Sequence, residues 1–332
     1  MKPITDKMTL AFTICSINYL AQAQTLGQSL QQTNPDVEFV IGLVDRLDKV
    51  QLDADKIPPF QLLEIDKINM ACLDEMCDNY DITELNTAVK PFYFDYFFKN
   101  RPDIKNVIYF DPDIIVFDSL KPLRDTLDQH SIVLTPHITS PINDKFDTRE
   151  IDHLNTGLYN LGFVAVGRSE SSYKMIDWWM ERLKKDCIID LCNGLFVDQH
   201  WMIFVPIFFR DVAFVDKYAG YNVAYWNLHE RTVTQENGNY FINNVPLIFF
   251  HFSGYGINKP NEVSKYQNRS SFENRPDIVP LFEYYAQQLR DNFNDYYSQF
   301  ACFYIKPTKV KRYLRVRKAL QIPFKKILDF VA

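Results

Sequence analysis

Two aspartates one residue apart interrupt an apolar stretch of the sequence. Asp111 and Asp113 flank Pro112 in NVIYFDPDIIVF, directly after a run with the pattern of a strand buried on both faces. Proline ends the ladder of hydrogen bonds, so both carboxylates can face one site where the chain leaves the sheet. Two unpaired carboxylates repel each other, and a hard divalent cation such as Mn2+ or Mg2+ reverses that cost. The pattern predicts a metal site, and a plain Asp-Pro-Asp turn is the alternative.

A histidine and two glycines follow a second apolar run, in FFHFSGYGINKP. His251 should emerge at the edge of the sheet, where Gly254 and Gly256 permit a close approach of the backbone to a ligand and Lys259 offers a cation. One imidazole with two carboxylates is a suitable ligand set for Mn2+. The alternative is a structural histidine at the end of a strand.

The order of the predicted elements indicates an α/β fold. LAFTICSI and VEFVIGLVD have strand patterns, and the segment between them has apolar residues near helical spacing, so the chain opens β-α-β. We predict further strands at NVIYF, SIVLTP, LYNLGFVAV, DVAFVD and VPLIFFHF. We predict helices over residues 91–99 and over SSYKMIDWWMERLKK, with Ser171 or Ser172 as the N-cap of the latter. The expected organisation is a mostly parallel central sheet with helices on both faces.

The charge is distributed unevenly along the chain. Residues 303–332 carry nine Lys or Arg against one acid, within a protein of net charge −6. Apolar residues at helical spacing on either side of Pro323 predict two short amphipathic helices, which could contact an anionic membrane surface or dock on the acidic body. We therefore expect three parts: a catalytic domain over 1–256, a helical extension over 257–302 and a basic tail over 303–332. The acidic body is not expected to bind nucleic acid.

Several segments resemble elements of the GT-A glycosyltransferases. NVIYFDPDIIVF looks like their DxD segment, and HFSG…KP resembles the H-x-x-G-x-x-K-P element of retaining glycosyltransferase family 8, the family of glycogenin and bacterial lipooligosaccharide galactosyltransferases. FVDQHW resembles that family's Asp-Gln pair, YNLGFVAV its N-x-G strand, and SINYLAQAQTLGQSLQQTNPD its opening nucleotide-binding unit. These elements occur in family order over residues 10–260. The loop before Lys259 is two residues longer here than in the family element.

The resemblance implies a role for each matching residue. Asp111, Asp113 and His251 would hold Mn2+ or Mg2+. The nucleotide-sugar donor, expected to be a UDP-sugar, would be bound by residues that line the base and ribose pocket, stand near the phosphates and sugar, or meet the diphosphate: Ile14, Ser16, Asn18, Lys90, Gly254 and Lys259. The residues facing the donor sugar or the reaction centre would be Asn160, Asp198 and Gln199.

The implied reaction is transfer of a sugar to a glycan or lipid-linked acceptor in surface polysaccharide synthesis. A retaining enzyme needs a weak nucleophile or amide oxygen on the face of the sugar opposite the leaving group, which Gln199 or Asp198 would supply. In an inverting enzyme, Asp198 would be the base that takes the acceptor proton. Without the family context, Asp198 and Gln199 are equally well explained as the start of a helix with a capping Asp.

Two further classes of protein compete with this interpretation. A sugar-phosphate nucleotidyltransferase would begin with a glycine-rich loop, which TICSINYLAQAQ lacks. A non-catalytic carbohydrate-binding protein could keep the same fold. The six cysteines lack the spacing of a zinc site and are predicted to be reduced, mostly buried thiols of a cytoplasmic protein that could lie on the inner face of the cell membrane. We predict no membrane-spanning helix.

Overall fold

A computed structural model describes residues 8–305 of the chain, so most of the basic tail lies outside the described residues. The strands are β1 Met8–Cys15, β2 Glu38–Leu43, β3 Gln61–Glu64, β4 Ile104–Phe110, β5 Ile114–Val116, β6 Ile132–Leu134, β7 Phe163–Gly167, β8 Ile189–Asp190, β9 Leu195–Phe196, β10 Ala213–Val215, β11 Val233–Glu236, β12 Asn239–Ile242, β13 Val245–Pro246 and β14 Phe249–His251. The α-helices are α1 Leu20–Thr33, α2 Leu73–Asn79, α3 Ile82–Ala88, α4 Lys90–Asn100, α5 Lys121–Leu127, α6 Glu150–Thr156, α7 Glu170–Leu183, α8 Val205–Phe208, α9 Val279–Asp291 and α10 Asn294–Tyr297.

Seven strands form the central sheet, in the order β10-β6-β7-β4-β1-β2-β3. β7 runs antiparallel to both of its neighbours, and the other adjacent pairs are parallel. The opening β-α-β unit corresponds to β1, α1 and β2, as the alternation of apolar segments predicts. The mostly parallel sheet is therefore confirmed.

Both faces of the sheet are covered. Along β4, Ile108 and Phe110 join an apolar cluster with α1 on one face. Val107 and Tyr109 alternate with them and join a second cluster with α4 and α7 on the other face. A strand packed on two faces has apolar residues at successive positions, which explains why NVIYF shows no polar alternation.

Three local predictions are wrong. VPLIFFHF is not one strand, because β13 Val245–Pro246 pairs with β12 and β14 Phe249–His251 pairs with β5. α7 begins at Glu170 with Ser169 as its N-cap, because the Ser169 hydroxyl accepts a hydrogen bond from the Ser172 N–H at 3.1 Å. Ser172 is buried and its hydroxyl donates to the Gly167 carbonyl at 2.6 Å, so it cannot act as the cap. LYNLGFVAV is extended as a strand only from Phe163 onward, because the residues before it form side-chain hydrogen bonds at the site described below.

The segment after residue 256 packs on the part of the chain that precedes it. α9 and α10 lie against α1, and the Asn292 side-chain amide at the end of α9 donates to the Thr25 hydroxyl at 2.9 Å. The boundaries of the three predicted parts remain a prediction. Among residues 8–305, no helix combines the length and apolar character needed to cross a bilayer. Cys15, Cys77, Cys187 and Cys302 are buried.

Candidate functional site

Two short strands outside the main sheet bring the predicted metal ligands together. β4 ends at Phe110, and the chain turns through Pro112 into β5, which pairs antiparallel with β14. His251 therefore lies opposite Ile114, and the next residue, Phe252, donates its N–H to the Asp113 carbonyl at 2.9 Å. The register of this pair places the histidine beside both aspartates.

The side chains of Asp111, Asp113 and His251 converge on one point. One ligand atom from each lies within 4.8 Å of the others. The His251 Nε2 atom is 3.0 Å from Asp113 Oδ1 and 3.8 Å from Asp111 Oδ2. The imidazole is buried, whereas both carboxylates are partly exposed. The clustering predicted from the sequence is thus present, and these three residues are the candidate metal cluster.

This cluster fits a divalent cation. It combines two carboxylates with one imidazole, and the partly exposed carboxylates leave positions for oxygen ligands from the cleft. Burial lowers the pKa of His251, but Asp113 and Asp111 outweigh burial and raise it above its usual value. The carboxylates therefore favour positive charge at this point. The cluster is acidic enough to select a cation and has donors suited to Mn2+.

Tyr109 and Lys90 lie directly behind Asp111. The Tyr109 hydroxyl donates to Asp111 Oδ1 at 2.5 Å, and the Lys90 ammonium is 3.8 Å from the same oxygen. Lys90 Nζ also stands 4.6 Å from the centre of the Tyr109 ring. Tyr109 precedes Asp111 by two residues and so faces the same side of the chain. Both side chains can therefore fix the orientation of this carboxylate.

Lys90 forms a buried ion pair with Asp198. Its ammonium lies 2.9 Å from Asp198 Oδ2 and donates to the Leu161 carbonyl at 2.9 Å. Burial lowers the pKa of Lys90, but Asp198 and Asp111 more than offset it, so the pKa is raised. Burial raises the pKa of Asp198, and the ammonium opposes that shift. Asp198 is 1% exposed and pairs with Lys90 beneath the metal cluster.

The amide of Gln199 is held by the loop before β7. Its Oε1 accepts hydrogen bonds from the Leu161 N–H at 3.2 Å and from Asn160 Nδ2 at 3.5 Å. Its Nε2 donates to the Thr156 carbonyl at 2.8 Å. Gln199 is the residue before a 3₁₀ helix over His200–Phe204, but its side chain makes no capping hydrogen bond there. The orientation of Gln199 is thus set by tertiary contacts.

Gly162 connects this group to the metal cluster. A Cβ atom at this position would lie 2.4 Å from Cε1 and 2.7 Å from Nδ1 of the His251 ring. The Gly162 N–H donates to Asn160 Oδ1 at 3.1 Å, and its carbonyl accepts from the Asp111 N–H at 2.7 Å. Only glycine leaves room for the imidazole at this point. The N-x-G element of YNLGFVAV includes Gly162, but its contact with the distant residue His251 was not predicted from the sequence.

A cleft of about 630 Å³ opens above the cluster. Its lining includes eight of the residues predicted from the sequence: Ile14, Ser16, Asn18, Asp111, Asp113, His251, Gly254 and Lys259. The Ser16 hydroxyl donates to Asn18 Oδ1 at 2.8 Å, which orients both side chains. The other four, Lys90, Asn160, Asp198 and Gln199, are buried behind the cluster. The predicted residues thus fall into two groups. Eight line the wall of the cleft, and the four buried residues form what is called the buried support.

Comparison with solved structures agrees with this architecture. The chain superposes on the bifunctional glycosyltransferase WbbM with a TM-score of 0.50 at 12% identity, over 88% of this chain and 53% of that one. The chain has the GT-A glycosyltransferase fold. This confirms the fold that the sequence motifs predict.

Other proteins are similar to this GT-A chain over most of its length. The galactosyltransferase LgtC, solved with donor and acceptor sugar analogues, matches 86% of this chain and 96% of its own with a TM-score of 0.47 and 16% identity. The uncharacterized protein YfnF of Bacillus subtilis (strain 168) is 26% identical over 287 residues, which span 85% of this chain and 92% of YfnF. No family model matches the sequence.

Proposed function

We propose that this protein is a glycosyltransferase that moves a sugar from a nucleotide-diphosphate donor, expected to be a UDP-sugar, to a glycan or lipid-linked acceptor in surface polysaccharide synthesis. The observation that carries the proposal is the Asp111, Asp113 and His251 cluster at a cleft of nucleotide-sugar size. The GT-A fold supports it, because enzymes of this fold are among the solved structures that the chain resembles.

In this proposal, each wall of the cleft binds one part of the donor. Ile14, Ser16 and Asn18 would contact the base and ribose. The backbone at Gly254 would approach the diphosphate, because its φ of +73° presents the peptide group without a side chain. Asp111, Asp113 and His251 would hold the divalent ion, expected to be Mn2+ with Mg2+ as the alternative. A bound ion would stabilise the charge that develops on the departing diphosphate.

The buried support would act on the reacting sugar. As the bond to the diphosphate breaks, the anomeric carbon becomes cation-like, and an amide oxygen on its far face stabilises it. Gln199 is the candidate for this role, and Asn160 holds its amide. Asp198 is buried and paired with Lys90, so its carboxylate would have to leave this ion pair before it could take the proton of an incoming hydroxyl. These contacts support retention of anomeric configuration over inversion.

A screen of sugar nucleotides for release of nucleoside diphosphate tests the proposal. With Mn2+ present, we expect one sugar nucleotide to be hydrolysed or transferred, and chelation of the metal to stop the release. Asp113→Ala should abolish release and metal-dependent nucleotide binding while the protein stays folded. Asp211→Ala is the matched control, because the Asp211 side chain is 90% exposed and its ion-pair partner within residues 8–305 is its neighbour Arg210.

Two outcomes of the screen contradict the proposal. A protein that binds sugars but releases no diphosphate from any donor is a carbohydrate-binding protein of the same fold. Full turnover by Asp113→Ala without added metal would show that the assignment of the metal site is wrong. NMR of the product linkage then decides the stereochemistry, because an inverted anomer assigns Asp198 as the general base.

We also propose that the basic tail over 303–332 is a peripheral anchor for a cytoplasmic enzyme on the anionic inner face of the cell membrane. Each basic residue near such a surface contributes about 1 kcal/mol. Tyr304 and Ile305 pack against the core, and residues 306–332 lie outside the described residues, so truncation after Ile305 is the cleaner test. The anchor requires loss of binding to anionic vesicles with donor hydrolysis preserved. Unfolding of the truncated protein would instead assign the tail a structural role.

A further inference from the structure

Two lysines line the cleft, and their surroundings differ. The ammonium of Lys259 lies 3.2 Å and 3.3 Å from the two carboxylate oxygens of Glu262. This lysine is the residue that the sequence motif favours for the diphosphate, and its charge is already balanced by a neighbour. To bind a phosphate, the ammonium of Lys259 must either contact Glu262 and the phosphate together or break its ion pair with Glu262.

Lys265 has no such partner among residues 8–305, since no carboxylate there lies within 4.0 Å of its ammonium. The ammonium instead stands 4.9 Å from the centre of the Tyr266 ring, a cation–π contact that leaves its positive charge unneutralised. Lys265 also lines the cleft. It therefore offers a free cation to an anionic ligand.

A backbone hydrogen bond joins Lys265 to the loop that follows His251. Its N–H donates to the Gly254 carbonyl at 3.1 Å, three residues after the ligand His251. A Cβ atom at Gly254 would lie 2.5 Å from Ser264 Oγ and 2.6 Å from the Tyr266 ring, so this segment packs directly on the Gly254 backbone. Lys265 is thus tied to the loop that approaches the diphosphate, although it is fourteen positions beyond the histidine in the sequence.

We propose that Lys265, rather than Lys259, is the principal side-chain cation that binds the diphosphate of the nucleotide donor. The inference rests on the proposed function. A diphosphate carries more negative charge than one divalent ion neutralises, and an ammonium without a carboxylate partner forms a charge-assisted hydrogen bond without first breaking an ion pair. Gly254 and Lys265 would then bind the diphosphate on one side, and the metal cluster would bind it on the other.

Calorimetric titration of UDP, GDP and ADP in the presence of Mn2+ compares the two lysines, with the diphosphate that the wild-type protein binds most tightly as the probe. Lys265→Ala should weaken binding by about tenfold or more, the range for a lost hydrogen bond to a charged group. Lys265→Arg should recover most of it, since the charge is kept. Lys259→Ala should weaken binding by less than about threefold, because its ammonium is shared with Glu262. Lys174→Ala is the control without effect, because the Lys174 side chain lies on the solvent face of α7, is 66% exposed and does not line the cleft.

The outcomes separate this inference from the proposed function. If Lys259→Ala weakens diphosphate binding more than Lys265→Ala does, the inference is overturned and the function stands. If Lys265→Ala and Lys265→Arg both keep wild-type affinity, it is overturned in the same way. If the wild-type protein binds none of the three diphosphates with Mn2+, the inference about Lys265 and the proposed function are both contradicted. Thermal unfolding of each variant shows that the fold is retained.

Discussion

Tyr109 contacts both the buried support and the metal cluster. Its hydroxyl holds Asp111 and its ring lies under the Lys90 ammonium. Tyr109→Phe keeps the ring and removes the hydroxyl, so Asp111 loses the hydrogen bond that orients it. Because residues behind metal ligands contribute about 10- to 100-fold to metal affinity, we expect Mn2+ binding to weaken within that range. Titration of Mn2+ followed by electron paramagnetic resonance, without any donor, measures it.

Tyr93→Phe is the matched control. The Tyr93 hydroxyl is also buried and donates to the Leu63 carbonyl at 2.9 Å, away from the metal cluster. Both variants should lose about 1 kcal/mol of stability from the missing hydrogen bond. Only Tyr109→Phe should lose metal affinity. Equal Mn2+ affinities in the two variants would mean that Tyr109 has a structural role alone.

Gly162→Ala tests the position of the His251 ring. The added methyl group overlaps Cε1 of the imidazole, so the ring must move away from both aspartates. We expect weaker Mn2+ binding and a loss of about 1–3 kcal/mol of stability from overpacking. Measurement combines the same metal titration with urea unfolding.

Gly256→Ala provides the steric control for Gly162→Ala. A Cβ atom at Gly256 meets no atom of the described part of the chain within 4 Å, so the melting temperature should stay at the wild-type value. Wild-type metal affinity in Gly162→Ala would show that the site tolerates displacement of the imidazole, and His251 would then not be a ligand.

Residue types and spacing predicted the metal cluster, but they did not predict the contacts that hold its three side chains in place. Asp111 and Asp113 could be recognised because a strand and a proline define their position, and His251 because a strand precedes it. Gly162 belongs to the N-x-G element, which does not reveal its contact with His251, and Lys265 gave no signal, since both depend on contacts with residues distant in sequence. Tyr109 had a weak signal, the two-residue spacing from Asp111 that puts both on one side of a strand.

At the scale of elements, α6 carries a histidine into the protein interior. His153 stacks on His137 with ring centres 4.8 Å apart, and His137 lies 3.3 Å from Asn160 Nδ2. Burial lowers the pKa of His137 to about 3, with His153 adding to the effect, and burial lowers the pKa of His153 to about 4. Both rings are therefore neutral in the folded protein at neutral pH.

His153→Gln should make stability less dependent on pH. Between about pH 6.5 and 4, the unfolded chain binds a proton at His153 that the folded protein does not. The stabilisation is therefore complete above pH 6.5 and is lost as the pH falls through this range, by up to about 1.4 kcal/mol per pH unit. Urea unfolding at pH 7, 6 and 5 should give a shallower decline for the variant. Parallel declines would show that His153 is protonated in the folded protein.

Regular elements were predictable where the apolar pattern is continuous. The opening β-α-β unit and β4 follow from local periodicity, which their burial on two faces reinforces. The strand predicted for LYNLGFVAV was too long, because Asn160 and Leu161 engage Gln199 instead of a neighbouring strand. The cap of α7 was placed too late, because hydrogen bonding within SESS selects Ser169. Neither contact can be inferred from apolar spacing.

At the scale of the whole molecule, ligand binding should increase the free energy of unfolding by a measurable amount. A ligand that binds only the folded state at about 100 times its Kd stabilises it by about 2.7 kcal/mol. We expect Mn2+ together with UDP to raise the melting temperature by several degrees, and a chelator to reverse the increase. Differential scanning calorimetry at fixed pH and salt measures the effect.

Asp113→Ala is the reference for this experiment. Because it lacks one of the carboxylates, it should show little response to Mn2+ and UDP. An equal increase in both proteins would place the binding of one or both ligands outside the cluster. Asp211→Ala should respond as the wild-type protein does.

The pairing of β5 with β14 also has a consequence for biosynthesis. The two aspartates leave the ribosome early, with the first half of the chain, while His251 and the strand that supports Asp113 follow only after all strands of the central sheet have been made. Contacts between such distant segments form late in folding, because the intervening chain must first be ordered. A nascent chain that ends before β14 can present two carboxylates but not the complete ligand set. The candidate ligand set is therefore complete only after all seven strands of the central sheet have been synthesised.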